Sequence, residues 1–117
     1  MLPAASRLTK PHDFASAMRG KRSSRVTLTC HLVRNSESSD SSESSEPRVG
    51  FIVNRGVGNS VIRHLVVRRL RHVAKEILPL LPNDSLLVVR AKPAAANASS
   101  DLLARDLASS IQSLVAA

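Results

Sequence analysis

Aromatic rings are almost absent from this chain: it has no Trp and no Tyr, and Phe14 and Phe51 are its only two Phe. Recognition of nucleobases by stacking would therefore rest on very few side chains. Its single cysteine, Cys30, excludes an internal disulfide and fits no zinc spacing, so a reduced thiol in the core is the ordinary reading. No apolar run approaches the ~18 residues of a membrane span, and the N-terminus lacks the apolar block of a secretory signal. The expectation is a cytoplasmic protein. Residues 1–25, rich in Arg and Ser with Asp13 as the only acid, also have the composition of a transit peptide.

Acid is scarce too, and unevenly placed. Nine Asp and Glu stand against 17 Lys and Arg, a net charge of +8. Glu37, Asp40, Glu43 and Glu46 share one serine-rich stretch, which leaves five acids for all the remaining sequence and a charge of +12 there. That density exceeds what solubility requires and implies a basic face and a polyanionic partner.

At 117 residues the chain fits a single domain, residues 1–117, with tails at 1–6 and 115–117. Residues 36–46 contain no apolar side chain, cannot offset their ordering entropy and are expected to form a mobile acidic loop. Thr9 and Pro11 open a short helix, with Asp13 at its positive end and Phe14, Ala17 and Met18 on one side. Gly20 stops it, and the basic run around that glycine, Arg19, Lys21, Arg22 and Arg25, reads as a solvated loop. From Val26 the pattern alternates: Val26, Leu28, Cys30 and Leu32 face one way, Thr27, Thr29 and His31 the other, as in a half-buried strand. Residues 48–53 and 86–90 are further strands. A final helix spans about 100–114, with Leu103, Leu107, Ile111 and Leu114 at helical spacing. Strands and helices mix without strict alternation, which points to an α+β fold.

The best-defined element is a helix over residues 60–78, capped by Asn59 or Ser60 and closed by Pro79 and Pro82. At ~100° per residue, Ile62, Val66, Leu70, Val73 and Ile77 fall in one narrow sector. Nearly opposite lies a stripe of His64, Arg68, Arg71 and Lys75. Arg63 sits at the border of the two faces, and Arg69 lies close to the apolar one, its stem able to cover apolar surface while its head reaches water or phosphate. A solvated helix face usually mixes charge signs, yet Glu76 is the one acid here, and an external polyanion would relieve the repulsion. Of the six Lys or Arg residues from Arg55 to Lys75, five are Arg, whose planar fork suits phosphate oxygens. The preceding segment, Asn54-Arg55-Gly56-Val57-Gly58-Asn59-Ser60, is neither a Walker loop nor a dinucleotide fingerprint, so ATP and NAD are disfavoured.

The run Arg48-Val49-Gly50-Phe51, followed by Val57-Gly58-Asn59-Ser60-Val61-Ile62-Arg63-His64 and Arg68-Arg69-Leu70-Arg71, resembles the signature of the bacterial ribonuclease P protein family. The likeness extends to Arg7-Leu8 and Asp13-Phe14 near the start and to Val89-Arg90-Ala91-Lys92-Pro93 near the end. It implies a mainly antiparallel sheet with flanking helices and a left-handed β-α-β crossover, an exception to the usual handedness. It further implies a monomeric protein subunit whose basic helix and preceding loop bind the catalytic RNA of ribonuclease P, through Arg55, Asn59, Arg63, His64, Arg68, Arg69, Arg71 and Lys75. Phe14, Met18 and Arg90 would line a cleft for the 5′ leader of precursor tRNA. By the same resemblance, catalysis belongs to the RNA with Mg2+, and no protein residue is catalytic or a metal ligand.

The chain departs from the family pattern at three places. Leu65 and Val67 stand where basic residues are usual, so some phosphate contacts must be lost or supplied by Arg69 and His64; Met18 stands where a second Phe often stands, which implies a weaker leader contact.

The residues contain no clustered carboxylates, no paired histidines and no nucleophile beside a base. His12, His31, His64 and His72 read as surface or RNA-contact residues. A ribosomal or other structural RNA-binding protein is the alternative reading. A major-groove DNA reader would want polar side chains where Val61, Ile62 and Leu65 stand. A membrane-surface helix would need exposed apolar residues that here are required for the core.

Overall fold

The computed structural model describes residues 7–8, 10–34 and 47–116. The expected acidic loop, the tail at 1–6 and the expected cap Thr9 lie outside the described residues. Three helices and four strands follow in the order α1 (Pro11–Met18), β1 (Lys21–Ser24), β2 (Leu28–Arg34), β3 (Arg48–Ile52), α2 (Ser60–Ile77), β4 (Ser85–Ala91) and α3 (Ser100–Ala116). Short 3-10 turns at Leu78–Leu80 and Pro93–Asn97 close α2 and lead into α3.

The sheet order is β1-β2-β4-β3. β1 pairs with β2 and β2 with β4 in antiparallel fashion, whereas β3 lies parallel to β4. A parallel neighbour cannot be reached by a tight turn, and α2 supplies the crossover from β3 to β4. Both layers of this small α+β fold follow from alternation along the strands. Leu28, Cys30 and Leu32 of β2 stand beside Ala91, Val89 and Leu87 of β4, on the face covered by α2 and α3. Leu86 and Val88 project to the opposite face, where α1 lays Ala17, Phe14 and Met18 over them together with Leu8.

Four local readings change. The half-buried strand begins at Leu28 rather than Val26, which is 75% exposed in the turn before it. Thr29 and His31, read as its outward face, are buried, because β2 is an interior strand of a sheet covered on both sides. The basic run after Gly20 is not a loop: Lys21–Ser24 is an edge strand, held by its ladder to β2 while Lys21 and Arg22 point into solvent. Charge content hid this strand, since edge strands carry charged side chains without cost to the core. α3 runs to Ala116, through the residues read as the start of a tail.

Two devices hold the layers in place. Gly50 lets α1 sit down on β3, since a Cβ there would stand 2.5 Å from Cζ of Phe14. Asp106 of α3 accepts from both the backbone N–H and the hydroxyl of Thr27, at 3.1 and 2.6 Å, and so clamps the β1–β2 turn. Beside it Arg25 donates to the Ser109 hydroxyl at 3.1 Å.

Candidate nucleic-acid interface

α2 begins where expected. Asn59 caps it, its Oδ1 accepting from the backbone N–H of Ile62 at 3.0 Å. Gly58 permits the close turn, because a Cβ there would stand 2.9 Å from Cγ2 of Ile62. Val66, Leu70, Val73, Ala74 and Ile77 are buried against the sheet and α3, while Ile62 is half-buried at the open end. Burial of Val66, Leu70, Val73 and Ile77 contributes ~1.5–3 kcal/mol each, enough to fix the rotation of the helix about its axis.

That rotation presents His64, Arg68, His72 and Lys75 to solvent and leaves Arg63 and Arg71 half-buried beside them. Among the described residues no carboxylate forms a salt bridge with His64, Arg68 or Arg71. Arg63 has its Nε shielded from solvent without a partner, an unsatisfied donor at the border of the helix. Arg69, the side chain that helical geometry accounts for least well, donates from Nη1 to the Ala98 carbonyl at 3.0 Å. It ties α2 to the segment preceding α3, a role no helical wheel could show because its partner lies 29 residues away. Arg55 is exposed on the loop before α2.

An open groove of about 640 Å3 runs between this face of α2 and the first residue of α3, lined by His64, Val67, Arg68, Arg69, Arg71, His72 and Ser100. It brings together four of the residues singled out from sequence and adds His72, one helical turn beyond Arg68. Asn59 and Arg55 stand apart from it, at the other end of the helix, and Lys75 follows one turn past Arg71.

A second groove of about 440 Å3 lies on the far side of the sheet, in the part of that face that α1 leaves open. Arg22, Thr29, His31, Asn54, Arg90, Lys92 and Pro93 line it. Arg90 is where the sequence reading put it. Phe14 and Met18 do not line this groove; they pack beside it in the apolar cluster under α1. Phe51 belongs to the core on the α2 side, so Phe14 is the only phenyl ring on the α1 face.

Arg22 and Lys92 were not named as leader contacts from sequence, and His31 was read only as a surface or RNA-contact residue. The available signal was His31 opposite Leu28, Cys30 and Leu32 in the alternation, but the strand pairing that sets Arg22 and Arg90 nearby is a tertiary fact. His31 is 7% exposed and its Nδ1 has no partner. Burial, and then the neighbouring guanidinium groups of Arg22 and Arg90, push its pKa below the usual histidine value.

Acid–base or nucleophilic chemistry has little to work with here. Cys30 is fully buried and its thiol is pushed up to about 12 by burial, which outweighs the nearby Ser110 hydroxyl and Arg25. Among the described residues no three His, Cys, Asp or Glu side chains converge as metal ligands. No helix among them is long and apolar enough to cross a membrane. What both grooves can do is hold phosphates.

Comparison with known proteins agrees with this geometry. Residues 2–115 match the family model described as Ribonuclease P. The chain is 51% identical over 108 residues to a ribonuclease P protein component of Nocardioides sp., covering 92% of this chain and 89% of that one. It is 44% identical over 120 residues to that of Streptomyces griseus, covering 98% and 96%. Among solved structures, the fold is similar to the RNase P protein of Staphylococcus aureus, with a TM-score of 0.74 at 20% identity over 92% of this chain and 94% of that one. It is also similar to that of Thermotoga maritima, with a TM-score of 0.71 at 18% identity over 88% and 92%.

Proposed function

The chain belongs to the ribonuclease P protein family, and from that premise we propose that it binds the catalytic RNA of ribonuclease P and the 5′ leader of precursor tRNA at the same time. The holoenzyme is an endoribonuclease of tRNA processing. In this reading the protein is its monomeric, cytoplasmic accessory subunit, and the RNA performs the cleavage.

One observation carries the proposal: the two basic grooves lie on opposite sides of the sheet. The α2 groove opens on the layer formed by α2 and α3, and the sheet-face groove on the layer formed by α1. A protein built this way can neutralise phosphates of two RNA segments at once and lower their mutual repulsion. Arg55, Asn59, Arg63, His64, Arg68, Arg69, Arg71 and Lys75 serve the catalytic RNA. Arg90 serves the leader, joined by Arg22, His31 and Lys92. Phe14 and Met18 form the apolar wall next to it. Binding is electrostatic and weakens as salt rises.

Magnesium, which would activate the attacking water, is held by RNA phosphates in this reading. With Met18 where a second Phe often stands and one phenyl ring on the leader side, leader affinity is modest, since each base stacked on an aromatic side chain would add ~1–3 kcal/mol.

The test is reconstitution. Purified protein added to ribonuclease P RNA at low magnesium should stimulate cleavage of precursor tRNA at its 5′ side. Absence of stimulation, with RNA binding intact, would favour a structural RNA-binding role. Affinities of the reconstituted enzyme for precursor and mature tRNA should differ only modestly; a strong preference for the precursor would refute the weak leader contact.

A further inference from the structure

The groove between α2 and α3 contains more than the arginine stripe. His64 and His72 stand one helical turn to either side of Arg68, and all three line the same groove. Its far wall is Ser100, the first residue of α3, and the Arg69–Ala98 hydrogen bond holds that wall against α2. α3 is a 17-residue helix whose first turn is capped by the Ser99 hydroxyl, accepting from Leu102 N–H at 3.1 Å, so its positive end faces the groove.

Resting on the reading above, we propose that this groove is a phosphodiester cradle in which His64 and His72 bind RNA phosphates as protonated ligands, so that RNA binding takes up protons.

The charge surroundings favour this. From α2, Arg68, Arg69 and Arg71 line the groove, and Lys75 and Glu76 follow within a turn; from α3, Asp101 adjoins Ser100 and Arg105 lies a turn further on. The balance is strongly positive, and a phosphate in the groove attracts every cation that lines it, an imidazolium included. Protonation and phosphate binding therefore favour one another, and by linkage each strengthens the other equally. Histidine is the side chain that ordinarily changes charge between pH 5 and 8. The remaining histidines lie elsewhere: His12 is on α1, and His31 is in the groove across the sheet. Where Leu65 and Val67 remove cations from α2, these two histidines restore them, conditionally on pH.

The experiment measures binding of the full-length protein to in vitro transcribed ribonuclease P RNA at pH 5.5 and pH 8, across a range of KCl. Affinity should be about tenfold tighter at pH 5.5, roughly threefold for each of the two exposed histidine–phosphate ion pairs formed. The slope of log K against log salt should steepen by about 1.4 to 1.8, for two further phosphates neutralised. Calorimetry in buffers of different ionisation enthalpy should show proton uptake on binding between pH 5.5 and 8. In the His64→Gln, His72→Gln double variant the tightening between pH 8 and pH 5.5 and the proton uptake should both be lost, whatever its absolute affinity at pH 8. Parent binding at pH 8 that neither tightens nor steepens at pH 5.5 would overturn the cradle alone, as would a double variant that keeps the full pH effect. Failure to bind RNA at either pH would overturn both the cradle and the function on which it rests.

Discussion

Replacing Arg68 and Arg71 together by alanine should weaken RNA binding and leave the fold standing. Arg68 is exposed, Arg71 is half-buried, and no described carboxylate pairs with either, so their removal strands no partner charge. Surface substitutions of this kind change stability by about 0.5 kcal/mol, and the lost packing of the Arg71 stem raises this to ~1 kcal/mol at most. Binding should respond more. Two exposed ionic contacts at ~1 kcal/mol each come to about 2 kcal/mol, or roughly thirtyfold in affinity at moderate salt. The sharper reading is the salt dependence: without two of its phosphate partners the protein should show a slope of log K against log salt flatter by about 1.4 for single-stranded RNA and 1.8 for duplex. Fluorescence anisotropy with ribonuclease P RNA over a KCl series gives the slope, and urea unfolding of the same samples gives the stability. An unchanged slope, or cooperative unfolding lost in the variant, would show that these guanidinium groups serve the fold and not the RNA.

Gly50→Val should destabilise the domain by about 1–3 kcal/mol and detach α1, because the new side chain occupies the space of the Phe14 ring 2.5 Å from the Cβ position; urea unfolding measures it. Asp106→Ala should cost ~1.5–3 kcal/mol by leaving the buried Thr27 N–H and hydroxyl without their charged acceptor, read by the same assay. Cys30 should resist thiol reagents in the folded protein and react fully on unfolding. Because burial raises its pKa from 9.0 to about 12, the unfolded chain ionises it first and stability should fall as pH rises between those values; Cys30→Ala should remove that dependence. His31 has its pKa lowered by burial, Arg22 and Arg90, so its contribution to stability should be present above the ordinary histidine range and fall away as pH drops below it, an acid sensitivity absent from His31→Gln in thermal melts.

Helical periodicity alone separated the apolar sector of α2 from its basic stripe, because a helix places residues three and four apart on one surface regardless of what surrounds it. The same local logic located the Asn59 cap region, the strand around Gly50, the apolar seam of α3 and the burial of Cys30. Properties that depend on residues far apart in sequence were decided by the tertiary structure. An edge strand of Lys, Arg and Ser exists only because β2 offers it a ladder. Thr29 and His31 are buried only because β2 lies inside the sheet, between β1 and β4, and Arg69 is tied down only because the chain returns past Ala98. Both grooves belong to this class: each is walled by elements whose charges are legible one by one, but whose meeting depends on a parallel crossover and a doubly covered sheet.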